Sequence, residues 1–106
     1  MAQFDVHRNP GRQKDAIPFV VVVQSTIYDD SRRRVVVPLV RKTSDVPVYA
    51  RRLNPAFVVD GITVVLHPID IGSVPEDKLG EPVASLAAHG DAIIGALDEL
   101  ITRAYG

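Results

Sequence analysis

Cysteine is absent from the 106-residue sequence, and no uninterrupted run of 18 apolar residues occurs in it. Without cysteine the chain forms neither a disulfide framework nor a thiolate metal site, which favours a reducing compartment. The lack of long apolar runs excludes a membrane-spanning helix, and the charged first residues do not resemble a signal peptide. These absences predict a cytoplasmic protein.

The composition is that of an ordinary globular domain, with 46% hydrophobic and 24% charged residues. The length predicts a single domain over residues 1–106. Residues 1–52 carry ten basic and five acidic side chains, whereas residues 53–106 carry two and eight. This asymmetry predicts a basic patch and an acidic patch on one surface, or simply a dipolar, well-solvated protein. The pI of about 6.3 argues against nucleic-acid binding.

Apolar periodicity predicts about six strands. They cover residues 3–7, 19–23, 34–40, 56–59, 62–67 and 69–71. The continuous run at 19–23 is expected to be covered on both faces, by the core and by a helix or second subunit. Pro38 cannot donate to a ladder, which predicts an edge or a bulge there. Asp60-Gly61 predicts a tight hairpin.

The pattern changes to helical spacing near the C-terminus. Apolar residues recur every three or four positions over residues 83–104, which predicts one amphipathic helix with Gly90 as its weakest point. Strands followed by one helix predict an α+β domain with a curled, barrel-like antiparallel sheet.

Catalytic signatures are missing from the sequence. It has no phosphate-binding glycine loop and no nucleophile elbow, and His7, His67 and His89 lie too far apart in sequence to suggest a metal site. No cofactor or metal is therefore expected. Arg32, Arg33 and Arg34 allow one alternative, an RNA-cleaving loop in which arginine stabilises a pentavalent phosphate. Otherwise these arginines pair with acidic neighbours or project into solvent.

A set of short motifs resembles the CcdB family of toxins across almost the whole chain. The motifs are Val23-Gln24-Ser25 with Ile27 and Asp29, then Arg33 and Val35-x-Val37-Pro38-Leu39, with Gln3-Phe4-x-Val6, Ser73-Val74-Pro75 and Gly80-Glu81-x-Val83-Ala84-x-Leu86 around them. The resemblance implies an SH3-like barrel with a C-terminal helix, assembled as a symmetric homodimer.

The function that the resemblance implies is non-catalytic. Members of the family, commonly plasmid-borne, bind the DNA gyrase A subunit and trap the enzyme with its DNA cleaved. Carried over by position, the gyrase-binding residues are Gln24, Ser25, Ile27, Tyr28, Asp98, Ile101, Thr102, Arg103, Ala104, Tyr105 and Gly106. The C-terminus departs from the family, because the family's terminal Trp-Gly-Ile corresponds here to residues 102–104. Either Tyr105-Gly106 replaces Trp-Gly one helical turn later, or gyrase is bound weakly or another target is used.

The resemblance also implies a cognate antitoxin with a disordered tail. Loops 8–15 and 41–45 lie where such a tail binds in relatives, and their basic side chains suit an acidic segment: Arg8, Arg12, Lys14, Arg41 and Lys42. Three hypotheses follow from the sequence. They are a gyrase poison, an endoribonuclease toxin of the same fold, and a non-toxic module that keeps only the fold and the dimer.

Overall fold

A computed structural model describes residues 2–43 and 50–105, with side chains as far as Thr102. This part of the chain contains seven strands and one α-helix. They are β1 (Asp5–Arg8), β2 (Phe19–Val22), β3 (Arg33–Arg41), β4 (Ala56–Val59), β5 (Ile62–Leu66), β6 (Gly72–Pro75), β7 (Pro82–Ser85) and α1 (Gly90–Tyr105). Single 3₁₀ turns lie at Thr26–Tyr28, Pro68–Asp70, Glu76–Lys78 and Ala87–His89. No helix in the described ranges is long and apolar enough to cross a membrane.

The strands form one antiparallel sheet in the order β4-β5-β3-β2-β1-β7. β3 is nine residues long and pairs with β2 on one side. Its other side pairs with β6 at its start and with β5 at its end, so the sheet curls around this strand. The predicted α+β class with an SH3-like curled sheet and a C-terminal helix is confirmed.

The core lies between the curled sheet and α1. Phe19, Val37 and Leu39 of the central strands are fully buried, as is Ile93 of the helix. Each such side chain contributes about 1.5–3 kcal/mol relative to leaving it in water. On the other face of β2, Val22 is buried but Val20 is only partly covered. The cover on both faces that the valine run predicts is therefore incomplete within one chain.

The predicted Asp60-Gly61 hairpin is confirmed. Asp60 has φ 51° and Gly61 has φ 76°, and the two residues join β4 to β5. Positive φ at both central positions is the geometry that matches the right-handed twist of paired strands.

The prediction for Pro38 is wrong, because β3 is a central strand. Pro38 pairs with Val20 of β2 and lies between the residues of β3 that pair with β6 and those that pair with β5. Its carbonyl accepts a hydrogen bond from the His67 amide at 3.1 Å. The missing N–H of proline thus falls where β3 changes partner.

The predicted boundaries near the C-terminus also need correction. The 83–85 stretch forms β7, which pairs with β1, and α1 begins only at Gly90. A Cβ at position 90 would lie 2.7 Å from Cε2 of Phe4, so a side chain there would require the Phe4 ring to move. Only Val83, Leu86 and Ala87 of the predicted apolar stripe precede Gly90, and so few positions do not distinguish a helix from a short strand followed by a turn.

The short strand predicted at 69–71 is not formed. The chain makes a 3₁₀ turn at Pro68–Asp70, and the following Gly72–Pro75, expected to end a strand, is itself β6. Pro68 is buried and sets the first φ of the turn, which explains why extended backbone is not continued from β5.

Candidate functional site

The 26–28 turn presents two exposed apolar side chains, Ile27 and Tyr28, which the family resemblance places among the gyrase-binding residues. Thr26–Tyr28 is one turn of 3₁₀ helix, and the hydroxyl of Ser25 accepts a hydrogen bond from the Ile27 amide at 3.4 Å. The Tyr28 amide donates to the Ser25 carbonyl at 3.1 Å. The tight turn directs Ile27 and Tyr28 outward, leaving them 74% and 59% exposed.

Gln24 fixes this turn to the sheet from a half-buried position. Its Nε2 donates to the Tyr28 carbonyl at 3.0 Å, while its Oε1 accepts from the Val35 amide at 3.0 Å. One side chain thus replaces a ladder hydrogen bond of β3 and closes the far end of the turn. Among the residues carried over from the family, Gln24 is a positioning residue, and Ser25 has the same role as the cap.

Arg34 supports the loop that follows the turn. The residue is only 3% exposed, and its guanidinium donates to the backbone carbonyls of Asp29, Ser31 and Arg33. Its Nη2 also lies 3.0 Å from Oε2 of Glu76, whereas its Nε is 4.0 Å from Oδ1 of Asp29, beyond hydrogen-bonding distance. No local sequence pattern indicates this role, because it depends on contacts between β3 and the 76–78 turn.

The other two arginines of the triplet differ in what they contact. Arg33 donates from Nε to the Ser73 hydroxyl at 2.8 Å and from Nη2 to the Ser73 carbonyl at 2.7 Å. Arg32 is exposed and lines a shallow depression with Glu76 and Asp77. Arg33 therefore joins β3 to β6, Arg34 joins β3 to the preceding loop and the 76–78 turn, and Arg32 faces solvent.

The end of α1 contributes a second exposed apolar position. Ile94, Asp98 and Ile101 are spaced so that they share one helical face, and Ile101 is 70% exposed. Asp98 and Thr102 are exposed as well. The helix backbone extends to Tyr105. The predictions for the side chains of Arg103, Ala104 and Tyr105, and for Gly106, lie outside the described residues.

The two basic loops meet at Arg41. Its amide donates to the Ala16 carbonyl at 2.8 Å, and its Nε donates to the Asp15 carbonyl at 3.0 Å. Arg12, Lys14 and Lys42 are exposed around this junction. The part of the second loop from 44 to 45 lies outside the described residues.

Arg8 differs from the other predicted antitoxin contacts, because its charge is already paired. Its Nε donates to Glu81 at 2.7 Å and its Nη2 to Asp60 at 3.2 Å. The hydrogen bond with Glu81, followed by that with Asp60, raises the pKa of the Arg8 guanidinium above its ordinary value. Its guanidinium also lies 5.9 Å from the centre of the Phe19 ring.

The histidines do not converge on one site. His7 is buried with Nδ1 2.9 Å from the Gly80 carbonyl, and the ring of His89 packs against Phe57 at a centroid distance of 5.3 Å. His67 is buried beside the Pro68 turn. Within residues 2–43 and 50–105 no group of three potential ligands is placed to hold a metal ion.

A solved endoribonuclease in complex with its cognate antitoxin, from a Mycobacterial species, superimposes with a TM-score of 0.74. Its sequence is 16% identical, and the superposition covers 96% of this chain and 95% of that chain, so the likeness concerns the fold. No curated protein matches the chain significantly. The sequence profile of the family described as CcdB protein matches residues 3–103. Since that match includes the 26–28 turn and nearly all of α1, the chain belongs to the CcdB family.

Proposed function

We propose that this protein is the toxin of a toxin–antitoxin pair, and that it binds the DNA gyrase A subunit and traps the cleaved enzyme–DNA complex. One observation carries the proposal: Ile27 and Tyr28 are held outward on a turn that Ser25 and Gln24 fix in place. Exposing two large apolar side chains is unfavourable in water, but a few buried apolar anchors dominate the affinity of protein interfaces.

Poisoning of this kind requires no chemistry from the toxin. A ligand that binds only one state of an enzyme stabilises that state by about 2.7 kcal/mol at a hundred times its dissociation constant. A toxin selective for the state with cut DNA therefore delays resealing. In the proposed complex Ile27 and Tyr28 are the anchors, while Asp98, Ile101 and Thr102 extend the contact along α1.

A homodimer is part of the proposal. Ile69 and Ile71, next to the 68–70 turn, are exposed, as is Ile94 of α1, which packs near that turn. Apolar side chains from two adjacent elements suit contact with a second copy, since closed twofold dimers are the commonest soluble assemblies. A dimer would present two copies of the 26–28 turn to the symmetric gyrase A dimer.

Neutralisation is proposed to come from an antitoxin with an acidic tail. Arg12, Lys14 and Lys42 are exposed around the loop junction that Arg41 holds together. Complementary charge speeds encounter and favours the right partner. Arg8 is proposed to act less directly, because its guanidinium is already paired with Glu81 and Asp60.

The experiment that tests the proposal is induction in two bacterial strains, one with normal gyrase and one with a toxin-resistant A subunit. We expect growth arrest only in the first strain, and rescue when the cognate antitoxin is produced with the toxin. Arrest in both strains would point to a different target, and arrest in neither would favour a non-toxic module.

The second candidate function is an endoribonuclease toxin. It is favoured by the solved structure of similar fold, which is itself an endoribonuclease. Of the arginine triplet, Arg33 and Arg34 are engaged by Ser73 and Glu76, so Arg32 would have to act on phosphate beside Glu76 and Asp77. Purified protein that cleaves RNA without gyrase, and loses this activity in Arg32→Ala, would establish the second candidate.

A further inference from the structure

The strand β4 has one side that is not used by the sheet. It is the last strand on the path and pairs only with β5, with Phe57 opposite Val64 and Val59 opposite Ile62. The Leu66 amide donates to the Pro55 carbonyl at 2.9 Å, and hydrogen-bonded pairs alternate along antiparallel strands. The peptide groups of alternate residues 55, 57 and 59 therefore face β5, whereas those of 56 and 58 point away from it.

This edge lacks most of the features that protect sheet edges. Natural edges are blunted by charged residues, proline or bulges. Ala56–Val59 contains neither a charge nor a proline, although it is short. Val58 is 69% exposed, so a large apolar side chain projects into solvent from this edge strand. In the described part of the chain no other strand covers this side.

A groove along β4, bounded also by residues of β5 and by the start of α1, has room for the side chains of an added strand. One section of about 570 Å³ is formed by Phe57 and Val58 of β4 together with Thr63, His89 and Ala92. A second section of about 410 Å³ shares Pro55 and Ala56 with the first section and continues past Asn54. The groove therefore follows the direction of β4 and extends beyond its start.

The end of the groove near Pro55 is positively charged. Lys42 and Arg51 line the second section, and neither has a carboxylate partner among residues 2–43 and 50–105. Arg51 and Arg52 both line the adjoining section together with Asp91, and Nε of Arg52 is 3.9 Å from Oε2 of Glu99. Lys42 and Arg51 form no ion pair with a carboxylate in the described part of the chain, and two such cations at one end favour an occupant with acidic residues there.

We propose that the β4 edge binds an extended, acidic segment of the antitoxin as an added strand. Backbone groups at positions 56 and 58 would supply the hydrogen bonds, Val58 would contact an apolar side chain, and Lys42 and Arg51 would face carboxylates. The identity of the partner rests on the proposed function, whereas the edge, the groove and their charge do not. The segment would lose conformational entropy on binding, as disordered tails do.

The experiment uses the full-length protein and a fluorescein-labelled 12-residue peptide of alternating glutamate and valine. We expect binding by fluorescence anisotropy, and slowed amide hydrogen exchange at residues 56 and 58 when the peptide is bound. The corresponding lysine–valine peptide should bind at least ten-fold more weakly. Equal binding of both peptides, or unchanged exchange at these two amides, would overturn the proposal.

Matched variants separate the edge from general effects. Val58→Pro removes an edge N–H but no hydrogen bond to β5, and should weaken peptide binding at least ten-fold, whereas Val58→Thr should stay within two-fold. Arg51→Glu should weaken binding similarly, and Lys78→Glu, which changes the charge equally on the 76–78 turn, should not. Equal effects of the two variants within either pair would contradict the proposal.

A higher protein concentration without peptide provides a further test. If it alone slows amide exchange at residues 56 and 58, the edge binds a second copy of the chain and the proposal is wrong.

The outcome is separable from that of the proposed function. Val58→Pro and Arg51→Glu should still arrest growth in cells without antitoxin, because neither residue belongs to the proposed gyrase contact. If the unmodified protein arrests growth but does not bind the peptide, only the strand addition is rejected. If it binds the peptide but does not arrest growth, only the toxin activity is rejected.

Discussion

At the scale of single residues, a charged side chain is buried and a large apolar side chain is exposed, the reverse of what is usual for each. Arg34 is buried and Ile27 is exposed, yet both serve the same short segment after β2. The guanidinium bonds carbonyls on the loop that follows the 26–28 turn, so its desolvation is offset by hydrogen bonds and by Glu76. The isoleucine has no such compensation in the free protein, which is why we assign it to a partner.

Replacing Ile27 separates binding from folding. Ile27→Ala should change the free energy of unfolding by less than about 0.5 kcal/mol, because the side chain is mostly in water. Its affinity for the gyrase A subunit should fall at least ten-fold, which corresponds to about 1.4 kcal/mol. Denaturant unfolding and calorimetry with the purified subunit measure the two quantities. Val58→Ala, at a similarly exposed apolar position, should leave gyrase affinity unchanged, and an equal loss in both variants would contradict the assignment.

Replacing Arg34, in contrast to replacing Ile27, should lower the stability of the fold. Arg34→Met removes the buried guanidinium and leaves the carbonyls of Asp29 and Ser31 without their donor, at a cost of about 3 kcal/mol in unfolding free energy. Arg32→Met at the exposed neighbour should cost less than about 0.5 kcal/mol. Chemical denaturation of both variants measures the difference. Similar midpoints for the two would show that the buried network contributes little.

Residue roles were predictable only in part. The exposed Ile27 and Tyr28 could be expected because family motifs surround them. Gln24 could be named from the same motif, but its role could not, since its bond to the Val35 amide depends on how β2 and β3 align. The Arg34 network joins residues more than 40 positions apart, and no local pattern indicates such a contact.

At the scale of elements, the 26–28 turn depends on groups that lie outside it. A three-residue 3₁₀ helix has too few internal hydrogen bonds to be stable alone. Ser25 caps its start and Gln24 binds its end, while β2 and β3 hold both residues in position. The conformation of the proposed recognition surface is thus determined by the sheet.

Removing the Gln24 amide should loosen the turn. Gln24→Met deletes two hydrogen bonds and leaves the Val35 amide unpartnered, so we expect a loss of about 1–2 kcal/mol in stability. Amide exchange at Tyr28 should become faster, and gyrase affinity should fall although Gln24 itself is half-buried. Gln13→Met, in an exposed loop, serves as the control. Unchanged exchange at Tyr28 in the Gln24 variant would refute the positioning role.

The two glycines of α1 should respond in opposite ways to alanine. A Cβ at position 95 meets nothing within 4 Å, so Gly95→Ala should stabilise the protein by about 0.5–1 kcal/mol through helix propensity. A Cβ at position 90 would collide with the Phe4 ring, so Gly90→Ala should be destabilising despite the same propensity gain. Thermal melts of the two variants measure the signs, and equal shifts would contradict the packing of Phe4 against the start of the helix.

Strands, turns and the helix were predictable where a sequence pattern is compatible with only one structure. Asp60-Gly61 allows little but a tight hairpin, and the valine run of β2 allows little but a buried strand. The start of the 83–104 pattern was ambiguous, because the few apolar residues before Gly90 fit either a helix or a short strand followed by a turn. Contacts distant in sequence decide between the two: β1 pairs with residues 82–85, and the Phe4 ring packs against Gly90 at the start of the helix.

At the scale of the whole molecule, part of the charge asymmetry along the sequence is neutralised by ion pairs between the two halves of the chain. Arg8, Arg34 and Arg52, all in the basic half, pair with acidic residues of the second half. The basic surface is therefore narrower than composition suggests. In the described residues it centres on the exposed side chains around the loop junction and on Lys42 and Arg51 beside the β4 groove.

The exposed positions described above are divided among three proposed partners. The 26–28 turn and the end of α1 are proposed to face gyrase, and the apolar side chains around the 68–70 turn a second copy. The basic loops and the β4 edge are proposed to face the antitoxin. Several exposed apolar positions, such as Ile27 and Tyr28 on their supported turn, suit a protein that binds partners.

The most direct test is a DNA-cleavage assay with purified gyrase, supercoiled plasmid, ATP and this protein, stopped with denaturant and treated with protease. Trapping of the cleaved state predicts linear plasmid that increases with protein concentration, requires gyrase, and is strongly reduced with Ile27→Ala. Absence of linear plasmid at saturating protein, together with cleavage of RNA by the protein alone, would contradict gyrase poisoning and leave the endoribonuclease in its place.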